Sequence, residues 1–118
     1  ELGMANVIWA KVSHQFEATH CWPDATGRHE YLKYPHRHRF FVTLWAQQFH
    51  DDRDIEYMAC IDNLREWCPK VFELGHLSCE MMGQAIVENA MKAYGANRSY
   101  RCEVTEDNEN GAVIEYSP

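Results

Sequence analysis

Residues 36–47 read HRHRFFVTLWAQ, and this stretch decides the predicted fold. Successive side chains of a β-strand point to opposite faces of the sheet, so the even-numbered positions here share one face. That face carries two histidines and then Phe, Val, Leu and Ala, whereas the other face carries two arginines and then Phe, Thr and Trp. The pattern predicts a strand that starts with two imidazoles side by side.

Residues 6–20 show the same alternation. Their even positions read Ile, Ala, Val, His, Phe, Ala and His from residue 8 onwards. Period two over this length predicts another strand, and the turn-forming residues 22–27 end it before a loop that runs to Pro35. If the two strands pair as a long hairpin, His20 near the end of the first meets His36 and His38 near the start of the second.

The rest of the chain predicts two helices and two more strands. A helix is expected near Ile61, with an apolar stripe at Leu64, Trp67, Cys68 and Val71, and it should stop or kink at Pro69. A second helix is expected between Ser78, which can cap it, and Gly95, with Met82, Ala85, Ile86 and Ala93 as its apolar stripe.

Two strands near residues 99–106 and 112–116 close the chain, and residues 108–111 (Asn-Glu-Asn-Gly) form the hairpin turn between them. The expected class is α+β, with the order β-β-α-α-β-β. Its antiparallel four-stranded sheet carries two helices on one face. The length of 118 residues and the lack of a linker predict a single domain, 1–118.

Composition narrows the classes of partner and compartment. The net charge of -7 argues against nucleic acid or an anionic membrane as the main partner. No apolar run is long enough to span a bilayer and no signal peptide is visible, while the five cysteines favour reduced thiols in the cytoplasm. We expect Met4 to be a native start and Glu1-Leu2-Gly3 to be a cloning remnant.

The histidines His20, His36 and His38 are predicted to hold a metal ion. Three neutral imidazoles suit Zn²⁺ and leave a fourth position open for substrate or water, although other divalent metals also accept imidazole. Seven histidines in the chain make a chance His-x-His pair unremarkable, so the alternative is a set of polar surface residues. His14 and His50 are interpreted as polar surface residues or satisfied core residues, and nothing in the sequence distinguishes His29.

Several motifs, taken in order, resemble those of the 6-pyruvoyltetrahydropterin and 6-carboxytetrahydropterin synthases. Phe-Glu-Ala-Thr-His at 16–20 resembles the family's F-x-A-x-H, and His-Arg-His at 36–38 resembles H-G-H. Leu-Gly-His at 74–76 is similar to L-D-H, and 77–81 resembles the T-x-E-N opening of the second helix. Val-Thr-Glu at 104–106, followed by Ala112 and Tyr116, is similar to the closing strands.

The resemblance implies a T-fold and a set of roles. His20, His36 and His38 would bind zinc, His76 would belong to the proton relay, Glu106 would anchor the pterin ring and Ser78 would contact the substrate. The implied activity is that of a lyase on 7,8-dihydroneopterin triphosphate or a close relative. The implied assembly is a homo-oligomer, commonly a hexamer, with sites between subunits, where basic residues could face the triphosphate, namely Arg28, Lys33, Arg37 and Arg39.

Two members of the family's Cys-Asp-His relay are not matched. Residues 30–35 contain no cysteine, and Gly75 replaces the aspartate before His76. Cys79 could substitute as a catalytic thiol, because the start of a helix lowers a thiol pKa. Cys21 could also substitute, but in a continuing strand it would point to the opposite face. Further candidates for proton transfer are Tyr31, Tyr34 and His29.

Three functions therefore stay open. The first is a zinc-dependent pterin lyase with an altered relay. The second is a non-catalytic pterin- or purine-binding protein on the same fold. The third disregards the resemblance and is a structural metal module or small interaction domain.

Overall fold

The computed structural model describes residues 6–118, so the expectation about Met4 lies outside the described part. A long antiparallel hairpin forms one side of the sheet, from β1 (Ile8–His20) and β2 (His36–Gln48). Its register pairs Ala18 with His38 and His20 directly with His36. The predicted hairpin is confirmed, and the connecting loop contains a 3₁₀ helix, Gly27–Lys33.

The sheet is completed by β3 (Tyr100–Glu106) and β4 (Asn110–Tyr116), in the spatial order β1-β2-β3-β4 with every pair antiparallel. The turn between β3 and β4 lies at 107–109 rather than at the predicted 108–111. Asp107 and Asn108 adopt the left-handed conformation there, with φ of 56° and 59°. Gly111 instead lies within β4, where a Cβ would collide with the carbonyl oxygen of Val104.

Helix α1 (Tyr57–Trp67) is capped by the Glu56 carboxylate, which accepts hydrogen bonds from two backbone N–H groups, and it ends just before Pro69 as predicted. Val71 lies beyond the helix and is exposed, so the prediction that it belongs to the apolar stripe is wrong. In the described part of the chain, neither α1 nor α2 is long and apolar enough to cross a membrane.

Helix α2 (Cys79–Tyr94) begins at Ser78, whose Oγ accepts a hydrogen bond from the Met81 N–H, and its end is marked by Gly95. Its buried stripe is Cys79, Met82, Gly83, Ile86, Val87 and Ala90. The predicted stripe was therefore partly wrong, because Ala85 and Ala93 are exposed. The buried positions lie next to the predicted ones around the helix. Among them, the small Gly83 lets the helix approach Ile114 on β4.

Both helices pack on the same face of the sheet. The even-numbered residues of β1, β2 and β3 form that face. The core contains Phe40, Val42, Leu44, Tyr100 and Val104, with Leu64 and Ile86 from the helices. This confirms the predicted α+β class and its β-β-α-α-β-β order, and the arrangement is consistent with a T-fold. Because the histidines continue the core-facing row of β2, they lie at the edge of the core.

The segment between the helices is held against the end of β1. Thr19 N–H donates to the Phe72 carbonyl over 2.7 Å, and Leu74 N–H donates to the Thr19 carbonyl over 2.8 Å. The Cys21 N–H donates to the Gly75 carbonyl over 2.8 Å. This short parallel pairing carries the chain past the end of β1, and so it brings residues 76–78 beside His20.

Phe40→Ala and Phe41→Ala form a matched pair that tests which face of β2 covers the core. Phe40 is 0% exposed under the helices, whereas Phe41 is half-buried on the opposite face. We expect Phe40→Ala to lower the free energy of unfolding by about 3–5 kcal/mol and Phe41→Ala by about 1 kcal/mol, measured by urea denaturation. Equal losses would contradict the assignment of faces.

Candidate metal centre

Three imidazoles converge where β1 ends and β2 begins. His36 and His38 share a face of β2 at i and i+2, and the strand register brings His20 against them. Their ring centroids are 4.6 Å apart for His20 and His36, 5.3 Å for His20 and His38, and 5.0 Å for His36 and His38. One nitrogen from each ring lies within 4.8 Å of the other two, so small rotations allow all three to share an ion.

Each ring uses its Nδ1 for a hydrogen bond to an oxygen atom. His20 Nδ1 lies 3.0 Å from the Leu77 carbonyl, and His36 Nδ1 lies 2.9 Å from the Tyr34 carbonyl. His38 Nδ1 lies 2.6 Å from Oδ2 of Asp107. Carbonyl oxygens accept but never donate, so His20 and His36 carry their protons on Nδ1, and the carboxylate selects the same tautomer in His38. This leaves Nε2 unprotonated in each neutral ring, which is the form that binds metals.

The Nε2 atom of His20 is an unsatisfied buried group. His20 is only 9% exposed, and its Nε2 forms no hydrogen bond. Oε2 of Glu106 lies 3.0 Å away without forming one. A lone pair facing a carboxylate in a buried position is unfavourable unless a positive charge lies beside both. A proton on Nε2 or a metal cation at this point removes the repulsion, and the three-imidazole donor set fits a divalent metal such as zinc.

Glu106 and Phe40 complete the surroundings of the cluster. Oε1 of Glu106 lies 3.6 Å from His38 Nε2, so this carboxylate faces two of the three rings. The ring of Phe40 lies beneath, with its centroid 5.2 Å from that of His20. An apolar floor lowers the local dielectric and strengthens the attraction between a cation and Glu106.

A cavity of about 260 Å³ opens next to the cluster. This volume lies near the lower end of the range for ligand pockets, about 300 Å³. The predicted site residues His76, Ser78, Cys79 and Glu106 all line it, together with His20 and His36. The structure therefore brings two of the three predicted metal ligands and the predicted proton-transfer and substrate residues together around one space, whereas His38 does not line it. His76 is exposed, so its imidazole is open to that space.

Cys79 lies at the first residue of α2 as predicted, but the prediction of a lowered thiol pKa is wrong. Burial raises the pKa of Cys79 to about 12, and the negative charges of Glu106 and Glu80 act in the same direction. These effects outweigh the helix terminus, because a buried thiolate loses its hydration next to two carboxylates. In the metal-free protein the thiol is therefore protonated at neutral pH.

Cys21 is placed differently from the prediction. The strand ends at His20, so the alternation of faces no longer applies, and the half-buried Cys21 lines the cavity instead of pointing to the opposite face. Arg37 and Arg39 do lie on the face opposite the histidines, where both bind the Glu17 carboxylate at 2.7 and 3.0 Å. Among residues 6–118 no lysine or arginine lines the cavity.

Three oxygen atoms that accept from the histidine Nδ1 groups could not be recognised from the sequence. Two are backbone carbonyls, of Tyr34 and Leu77, which any residue could supply. The third belongs to Asp107, and only the turn after β3 brings it to His38. The residues Tyr31, Tyr34 and His29, which were considered for proton transfer, are exposed and do not line the cavity.

Comparison with known proteins leaves the family open. No protein-family model matches this chain, and no match was found among curated proteins. The resemblance to the tetrahydropterin synthases therefore stays a prediction.

His36→Ala tests the cluster directly. We expect the wild-type protein to retain one equivalent of zinc after dialysis and the variant to lose it, measured by elemental analysis. With free zinc at about 100 times its Kd, the wild type should gain about 2.7 kcal/mol of stability. The control is His29→Ala, which removes an exposed histidine outside the cluster. Equal zinc content in both variants would contradict the assignment.

The cysteines provide a test of the pKa argument. At pH 8 we expect a thiol reagent to modify Cys21 rapidly, because it is the half-exposed cysteine. Cys79 should stay protected, since its pKa of about 12 leaves almost no thiolate until the solution becomes strongly alkaline. Peptide mass spectrometry identifies the labelled position, and Cys21→Ser should abolish rapid labelling. Rapid modification of Cys79 in the folded protein would be inconsistent with its burial.

Proposed function

We propose that the protein is a zinc-dependent lyase of the tetrahydropterin synthase type, acting on 7,8-dihydroneopterin triphosphate or a close relative. One observation carries the proposal. Three imidazoles, with one nitrogen of each within 4.8 Å of the other two, lie beside a cavity that is also lined by a carboxylate, a hydroxyl and an exposed imidazole. That combination supports an open metal site with a substrate position, which is what a catalytic site requires.

His20, His36 and His38 would hold the ion through Nε2, with their Nδ1 hydrogen bonds fixing the ring orientations. When bound, zinc supplies Lewis-acid stabilisation of negative charge on the hydroxyl oxygens of a dihydropterin side chain. Glu106 can accept hydrogen bonds from the amino group and a ring N–H of the pterin, a bidentate match. Because its carboxylate lies against His20 and His38, a ring held there is adjacent to the metal position.

The side chains of His76 and Ser78 can each donate to or accept from a ligand in the cavity. The imidazole of His76 is exposed and lines the cavity, so it can accept or donate a proton at the substrate side chain. Ser78 Oγ accepts from Met81 N–H, which leaves its own O–H available as a donor. Gly75, before His76, has a φ of 65° and carries no carboxylate to orient the ring. His76 would therefore act without the usual third member of a relay.

The residues that do not match the family's proton relay support a second candidate function. The chain has no cysteine at residues 30–35, and in the metal-free protein Cys79 is protonated by burial at neutral pH. A site that retains the metal ligands and Glu106 but lacks an activated thiol could bind a pterin or purine without converting it. This non-catalytic protein on the same fold is our alternative proposal.

The proposed enzyme assembles into a homo-oligomer, which in the resembling family is commonly a hexamer. β1 and β4 are the two edge strands of the sheet. Apart from Thr19, whose backbone binds Phe72 and Leu74, the outward backbone groups of β1 and β4 form rows with which another strand could pair. An edge of one subunit could pair with an edge of the next. Such an assembly could also supply basic groups that the cavity of one chain does not contain.

Incubation of the zinc-loaded protein with 7,8-dihydroneopterin triphosphate, followed by mass spectrometry of the products, tests the activity. We expect a tetrahydropterin with a shortened or oxidised side chain, because the electrons that the side chain loses reduce the dihydropterin ring, together with released triphosphate. We expect no product with His36→Ala. Binding without turnover would favour the alternative function. Neither binding nor turnover, with zinc bound, would reject both proposals and leave a structural metal module.

Glu106→Gln tests the pterin anchor, with zinc content measured in the same samples because Glu106 also faces the proposed metal position. A hydrogen bond to a charged group contributes about 1.5–3 kcal/mol, so we expect pterin affinity to fall by about 10–150-fold, measured by fluorescence titration. Glu109→Gln is the matched control, because Glu109 is exposed in the turn at 107–109 and lies outside the cavity. Equal affinity in the two variants would remove Glu106 from the binding site.

A further inference from the structure

Asp107 joins three parts of the molecule at the edge of the histidine cluster. Its Oδ2 lies 2.6 Å from His38 Nδ1, and its Oδ1 accepts a hydrogen bond from the Arg39 N–H over 3.0 Å. Its own N–H donates to the Arg39 carbonyl over 2.7 Å. The first residue of the β3–β4 turn is thus bound to both sides of one residue on β2, and the carboxylate reaches the histidine beside it.

Asp107 makes these contacts from a left-handed backbone conformation. Its φ is 56°, a value that few residues other than glycine, Asn and Asp adopt. The turn alone needs no carboxylate, because Asn fits that conformation equally well. The two oxygens, however, accept from two different donors, and an Asn side chain offers only one accepting oxygen. The requirement for a carboxylate therefore comes from His38.

An aspartate carboxylate is a charged acceptor, and a charged acceptor forms a stronger hydrogen bond than the backbone carbonyls that hold His20 and His36.

We propose that Asp107 is a positioning residue of the metal centre, which fixes the ring orientation and the Nδ1–H tautomer of His38 so that Nε2 faces the ion. The inference rests on the proposed metal centre and extends it to a side chain that touches neither metal nor pterin. Removal of such an outer carboxylate typically weakens metal binding by about 10–100-fold.

Asp107→Asn separates this role from a structural one. Asn keeps the turn conformation and one hydrogen bond, so the stability of the metal-free protein should stay close to that of the wild type. Its amide cannot accept from Arg39 N–H and His38 Nδ1–H together, so zinc affinity should fall by about 10–100-fold. The readouts are thermal melting without metal and zinc affinity by competition with a chromophoric chelator.

Asn108→Ala is the matched control. Asn108 is the next residue of the turn and has a φ of 59°, yet it makes no hydrogen bond to the cluster. Alanine tolerates that conformation poorly, so the variant should melt at a lower temperature while its zinc affinity stays within twofold of wild type. Asp107→Asn should therefore lower zinc affinity with little change in melting temperature, whereas Asn108→Ala should lower the melting temperature with little change in zinc affinity.

Cobalt in place of zinc gives a spectroscopic signature of the coordination shell. We expect the visible absorption of the Co²⁺-loaded Asp107→Asn protein to differ from wild type in intensity or position, and that of Asn108→Ala to match it. Zinc affinity of Asp107→Asn within twofold of wild type would overturn this inference alone. A wild-type protein that binds no zinc would overturn the metal centre as well.

Discussion

The antiparallel register between β1 and β2 is the constraint on which the rest of the site depends. It places His20 opposite His36 and, by the same step, puts the even-numbered residues of both strands on the face that the helices cover. A shift of one residue would turn every one of these side chains to the other face. The register is therefore fixed by burial of Phe40, Val42 and Leu44, and the histidines are positioned by the same hydrophobic packing that stabilises the fold.

The strands, the helix cap at Ser78 and the pairing of the three histidines could be predicted from the sequence, because alternation and capping are local properties. The environment of Cys79 could not. Its position at a helix start is local, whereas its burial beside Glu106 depends on how α2 packs across β3. Cys21 was misplaced for a related reason, since the end of a strand at His20 cannot be read from alternation. The role of Asp107 required the shape of the β3–β4 turn.

The site combines three oriented imidazoles that could hold a metal ion with few groups prepared for proton transfer. All three imidazoles have an oxygen partner at Nδ1, so the orientation of each ring does not depend on an ion. In the same cavity, His76 has no neighbouring carboxylate at position 75, and burial raises the pKa of the Cys79 thiol. Chemistry that depends on the metal and Glu106 fits this arrangement better than chemistry that depends on an activated cysteine.

Zinc K-edge X-ray absorption of the loaded protein tests the central claim most directly, because it reports the ligands of the bound ion in solution. The account predicts imidazole scattering from three histidines at Zn–N distances of about 2.0–2.1 Å, with one further light ligand. A shell made of oxygen ligands alone, or one dominated by cysteine sulfur, would contradict it.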